Sequence, residues 1–273
     1  MIQGLLSYKK LFHGIIFIIA IIISGCNSPI PRNSTPTHVI APTDDLFETD
    51  IQDSIKLGDE YYQSGHFELA ITYYTEALEL NSNYLDAYIK RGIAYKVSGD
   101  TERAMQDFNT AIELAPNFAD AYYNRGLMHR ASRHLDKATE DFTKAIELNS
   151  DFADAYLARG FVYIGSNKLD FAFRDFNKVI EVDPDSVLGY YNRGRIYKAY
   201  GKPDQAIQDY STAIQIDPEF HWAYYERGEA YLDLDDLEQA IWNFERVIEI
   251  APNAPGQKKL EERIELLKSY LTQ

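Results

Sequence analysis

Glycine returns every 34 residues along most of this chain, at Gly58, Gly92, Gly126, Gly160, Gly194 and Gly228. Ala70, Ala104, Ala138, Ala172, Ala206 and Ala240 keep the same interval, as do Tyr74, Phe108, Phe142, Phe176, Tyr210 and Phe244. A unit of that length buries too little surface to fold alone, and gains a core only by stacking on copies of itself. The repeat therefore predicts a solenoid, and a solenoid is first of all a binding scaffold.

Within one unit the pattern reads as two helices. Ala87, Tyr88, Ala94 and Tyr95 fall on one helical face; Gly99 interrupts, and Ala104, Phe108, Ala111 and Ile112 restart the pattern until Pro116 closes the unit. Asn83, Asn117 and Asp151 each precede an Asp by three residues, a spacing like that of a capping box. Gly65, Gly99, Asn167 and Gly201 stand at the turn inside their units, where a left-handed backbone is cheap for Gly or Asn.

These residues resemble the tetratricopeptide repeat. The second unit supplies its landmarks as Tyr88, Arg91-Gly92, Tyr95, Ala104, Phe108, Ala111 and Pro116. Six units match without insertion, at 51–84, 85–118, 119–152, 153–186, 187–220 and 221–254. The departures are Ser82 and Ser150 for the closing Pro, Ser54 for the early aromatic, and His129 for a Tyr. The resemblance implies an all-α fold, a right-handed α-solenoid of six helix hairpins.

One departure is systematic. The family's Leu before the Gly survives only at Leu57 and is Arg at Arg91, Arg125, Arg159, Arg193 and Arg227. Asp107, Asp141, Asp175 and Asp209 follow sixteen residues after the first four of these, which predicts an ion pair between the two helices of a unit.

Outside the repeats the chain divides into three pieces. Residues 255–273 place Leu260, Ile264, Leu267 and Leu271 at helical spacing among charges, as expected of a helix that caps the last unit with a polar outer side. Residues 26–50 carry Pro29, Pro31, Pro36 and Pro42 and little apolar periodicity, and read as a disordered tether. Residues 1–25 read as an export signal: Lys9 and Lys10, then a short apolar stretch, then Ile23-Ser24-Gly25-Cys26. Those four residues resemble the lipobox of bacterial lipoproteins. The resemblance implies cleavage before Cys26, a diacylglycerol on its thiol, and anchoring to the outer membrane in a bacterium that has one, with the repeats on the extracytoplasmic side. Cys26 is the chain's one cysteine, so an intrachain disulfide is excluded.

The net charge of −15 repels phosphate backbones, so nucleic acid is not expected as a partner. The six histidines show no metal-ligand spacing, and no nucleophile or phosphate-loop motif occurs; no catalysis, metal or cofactor is expected. In the family the first helices line a concave groove that takes peptides or helices of other proteins. Mapped by that resemblance, the groove carries Lys90 in unit two, Tyr123, Asn124, Leu127 and Arg130 in unit three, Tyr191, Asn192 and Arg195 in unit five, and Trp222 and Tyr225 in unit six. Asn124 and Asn192 have the amides to bind a peptide backbone from both sides. Tyr191, Trp222 and Tyr225 add stiff contact area. The set of cations with which one branch of the family grips a terminal carboxylate is missing, since Asp120, Asp154, Trp222 and Glu226 stand in its places. The expected role is a membrane-anchored adaptor for envelope proteins. The alternatives are a binder of cell-wall glycan and a self-associating structural protein.

Overall fold

The computed structural model describes residues 44–253 and 255–272. Residues 1–43, with the expected signal, Cys26 and most of the tether, lie outside them. Among the described residues all thirteen elements are helices, the first twelve paired as the repeat requires. Unit one is α1 (Asp44–Gln63) and α2 (Phe67–Leu80), and unit two is α3 (Leu85–Ser98) and α4 (Thr101–Leu114). Unit three is α5 (Ala119–Ala131) and α6 (Leu135–Leu148), and unit four is α7 (Ala153–Gly165) and α8 (Leu169–Val182). Unit five is α9 (Val187–Ala199) and α10 (Pro203–Ile216), unit six is α11 (His221–Leu232) and α12 (Leu237–Ile250), and α13 (Gln257–Leu271) follows.

The repeated Gly and the repeated aromatic ring are one packing device. A Cβ at Gly126 would lie 2.7 Å from Phe142 Cε1, and a Cβ at Gly92 2.6 Å from Phe108 Cε1. Absence of that carbon lets the ring of the second helix sit on the backbone of the first, where Phe108, Phe142, Phe176 and Phe244 are fully buried. The Ala four residues before each ring is fully buried too and brings the helices close.

The Arg–Asp pairs form as expected and do more. Arg125 donates from Nε to Asp141 Oδ2 at 2.9 Å and from Nη2 to Oδ1 at 2.7 Å, a two-pronged contact. Its Nη1 donates to Asn109 Oδ1 at 3.0 Å, on the second helix of the unit before. Arg91 reaches back to Thr75, Arg159 to Thr143, Arg193 to Asn177 and Arg227 to Ser211 in the same way. Each guanidinium therefore ties three helices from two units, and lies over the Tyr three residues earlier, 5.6 Å from the ring centre for Arg125 and Tyr122. Burial pushes the carboxyls of Asp107 and Asp175 upward, against the pull of Arg91 and Arg159. In unit six Asn243 replaces the acid, its Oδ1 accepting from Arg227 Nε at 2.8 Å.

Three sequence expectations are corrected. The helices after the unit boundaries begin behind Tyr84, Phe118 and Phe152, none of which makes a side-chain cap, so the capping boxes do not form. The polar residue ending the preceding helix turns the chain instead: Asn81 Oδ1 accepts from Asn83 N at 2.9 Å and Asn149 Oδ1 from Asp151 N at 3.1 Å. The same turn forms around Pro184 and Pro218, Asp183 Oδ1 accepting from Asp185 N at 3.2 Å and Asp217 Oδ1 from Glu219 N at 2.9 Å, so it does not depend on Ser82 or Ser150. Second, α1 begins at Asp44, so residues 44–50, which the sequence reading placed in the tether, are helical. Pro42 is the last residue there that opposes a helix, and Ile51 and Ile55 on the same helix enter the core. Third, α13 buries Leu260, Ile264 and Leu267 but leaves Leu271 exposed with Leu266 and Tyr270, so its outer side is not wholly polar.

Candidate binding groove

First helices of neighbouring units touch one another, α3 with α5, α5 with α7 and α9 with α11, while among the described residues second helices do not meet to that extent. The first helices therefore crowd on the inner side of the stack, and their inward-facing residues form its groove. Ion pairs stitch the wall: Lys90 Nζ to Asp59 Oδ2 at 2.7 Å, Lys198 Nζ to Glu226 Oε2 at 3.1 Å, and Arg263 to Glu229.

The predicted groove residues divide by availability. Lys90 is held between Asp59 and Asp86, so its charge is already matched. Tyr123 is half-buried against Phe152 and Phe142, with ring centres 5.0 Å and 6.0 Å away, and burial pushes its phenol upward. Leu127 is half-buried and packs with Tyr123 on the cluster around Phe142. Arg130 is half-buried. Tyr191 stands edge-on to Phe220 at 5.2 Å, and exposed Arg195 lies over its ring at 5.7 Å.

Asn124 and Asn192 are not held out toward the groove as the sequence reading expected. Both are buried, and each donates from Nδ2 to the carbonyl one turn back on its own helix, Asp120 at 2.9 Å and Leu188 at 2.8 Å. A short amide at a helix–helix contact finds its own backbone first, which periodicity cannot reveal.

A cleft lies at the C-terminal end. Trp222 and Tyr225 line a cleft of about 780 Å³ with His221, Val247, Ile248, Leu260 and the charged Lys259 and Arg263. Trp222 is 53% exposed, a large apolar surface facing solvent beside the His221 ring. The sequence pointed to Trp222 and Tyr225; the far wall from Pro255, Gly256 and α13 was not legible, because it depends on how the cap leans on unit six.

Sequence models described as TPR repeat match residues 58–99, 96–132 and 194–235, and models described as tetratricopeptide repeat match 119–152, 153–186, 176–208 and 223–254. Among curated protein sequences none matches. Solved structures do. One is MamA, 27% identical over 60% of this chain and 95% of that one, with a TM-score of 0.53. YrrB, described as a TPR protein with an unusual peptide-binding site, is 22% identical over 69% of this chain and 97% of that one, with a TM-score of 0.57. PilF of Pseudomonas aeruginosa is 16% identical over 80% of this chain and 99% of that one, with a TM-score of 0.71. The last two likenesses concern the fold.

Proposed function

The chain belongs to the tetratricopeptide repeat family, and from that premise we propose that it is a non-catalytic scaffold holding a segment of a partner protein along the groove. The observation that carries this reading is the cleft at Trp222 and Tyr225, open to solvent and lined mainly by apolar side chains. Concave apolar sites with a few polar groups at the edge are where proteins take ligands, and exposed Trp and Tyr are the residues that anchor partners. The peptide-binding site in the description of YrrB supports the same use of the fold. The cell-envelope adaptor role joins this groove to the lipobox-like residues ending in Cys26. A lipid there holds the scaffold at a bacterial membrane, the outer one where there are two.

Affinity capture from envelope extract tests the scaffold reading, with the full chain beside its Trp222→Ala/Tyr225→Ala variant at matched helicity. A protein held by the native chain and lost by the variant supports it. Equal capture by both removes the cleft as the site, and retention on protein-free wall glycan would carry the glycan reading instead. Labelling with palmitate in growing cells tests the anchor, and Cys26→Ala must abolish the label. Self-association has its own observation, the exposed Leu266, Tyr270 and Leu271 on the terminal helix. A monomer in sedimentation at high concentration would end that reading.

A further inference from the structure

Trp222 stands at the repeat position that is Asp86, Asp120 and Asp154 in units two to four and Leu188 in unit five. A row that begins acidic therefore ends apolar. The first turn of α11 contains no acid, and neither does the first turn of α13, which forms the far wall of the cleft. Among the described residues no Asp or Glu lines that cleft, in a chain that carries −15 overall.

The cations of the cleft differ in what they have left to offer. Arg263 is engaged twice by Glu229 and lies over the Phe244 ring, 5.0 Å from its centre, so it fastens α13 to unit six. Gln257 donates to Glu261 on its own helix at 2.7 Å. Lys259 is exposed and makes no hydrogen bond or ion pair among the described residues. The apolar side is supplied by Trp222, Val247, Ile248 and Ala251. At about 780 Å³ the cleft falls within the roughly 300–1,000 Å³ of ligand sites, which is room for more than one side chain. An unpaired ammonium beside such a surface selects a carboxylate, which gains an ion pair that an amide does not, and it repels a second cation.

We propose that the cleft takes an acidic and apolar stretch of the partner segment, with large apolar side chains on Trp222, Val247 and Ile248 and an Asp or Glu carboxylate on Lys259. This rests on the reading of the cleft as the partner site, and specifies the chemistry of what enters it. Asp120 and Asp154, exposed on the first helices of units three and four, repel the same stretch. The charge pattern thus sets which part of the segment lies at unit six.

Trp222 and Trp242 are the chain's two tryptophans, and Trp242 does not line the cleft, so Trp242→Phe in the full chain leaves Trp222 as the reporter. Its fluorescence is followed during titration with acetyl-Leu-Glu-Leu-amide and with the Gln and Lys counterparts, at low salt. The expected result is a saturable blue shift with the glutamate peptide. The glutamine peptide should bind about fivefold more weakly, and the lysine peptide more weakly still. Lys259→Glu should reverse that order with helicity unchanged, because the side chain is exposed. Equal affinity for the three peptides, or an order that survives Lys259→Glu, would overturn the proposal and leave the cleft as the partner site. Absence of response to every peptide would overturn it too, and partner capture by the native chain and Trp222→Ala/Tyr225→Ala then decides the cleft separately. A dimer in sedimentation that Leu266→Ser/Tyr270→Ser dissociates, with a red shift of Trp222 emission, would assign the cleft to a second copy instead.

Discussion

Arg125 and Asp141 face each other across the two helices of unit three with both prongs of the guanidinium engaged, at 2.7 Å and 2.9 Å. Asp141 is 5% exposed, so this is a contact of the interior, and the third prong on Asn109 makes it a joint between units. Removing either partner leaves a charge uncompensated: Arg125→Met or Asp141→Leu alone should cost about 3 kcal/mol, and the double variant less than the sum. Urea midpoints of the four proteins in the cycle check this. Additive effects would show that the pair is not coupled.

Unit six contains the same joint without the acid, and burial pulls the Arg227 guanidinium downward there while Arg125 is raised by its hydrogen bonds to Asp141. Asn243→Asp should restore the two-pronged pair and stabilise the fold by about 1 kcal/mol at neutral pH. A lower midpoint would mean that the amide's donation to the Gln239 carbonyl at 2.8 Å outweighs the charge.

Gly126→Ala should destabilise by about 1–3 kcal/mol, because the Phe142 ring has no free side to move into. Gly165 has nothing within 4 Å of its Cβ position and no left-handed backbone. Gly165→Ala should therefore be neutral, or stabilise by up to about 1 kcal/mol. Thermal melts of the two variants separate packing from propensity.

The turn inside unit three uses Arg133 at φ 60°, where units one, two and five use Gly. The side chain is exposed and carries a Cβ into a region that disfavours it. Arg133→Gly should stabilise by about 0.5–1 kcal/mol, as relief of the left-handed strain outweighs the added freedom of the unfolded chain. A fall in melting temperature would refute this.

His129 takes the place of a Tyr beside the Arg125–Asp141 joint, and its Nδ1 is buried without a partner. Burial holds the imidazole below its ordinary 6.5, with Asp141 opposing and Arg125, Lys137 and His134 adding to the effect. The unfolded chain therefore takes up this proton first. Its contribution is fully present above about pH 6.5, falls as pH drops through that value, and levels off below the folded pKa. His129→Tyr should flatten that part of the stability profile, as read from urea midpoints across the range.

The repeat period, the Gly–ring contact and the Arg–Asp pairing were legible because each is a fixed spacing within one stiff unit. Left-handed Gly65, Gly99, Asn167 and Gly201 were legible for the same local reason. The capping boxes misled, because Asn83, Asn117 and Asp151 lie in turns already closed by the backbone carbonyl of the residue that ends the helix before, which accepts from the N–H of Tyr84, Phe118 and Phe152. Asn124 and Asn192 misled because a position facing the groove by repeat register can still be covered by its neighbours.

The sequence by itself determined six stacked helix pairs, since glycine, alanine and ring recur at spacings only one packing satisfies. The tertiary structure decided which polar groups and apolar surfaces are left free. Lys90 and Lys198 meet acids on neighbouring helices, Tyr210 keeps a hydroxyl with no partner where Tyr74 has one, and the lean of α13 opens a cleft beside Trp222. Those outcomes depend on side chains from different units meeting across the stack, where register is common to all units and residue identity is not.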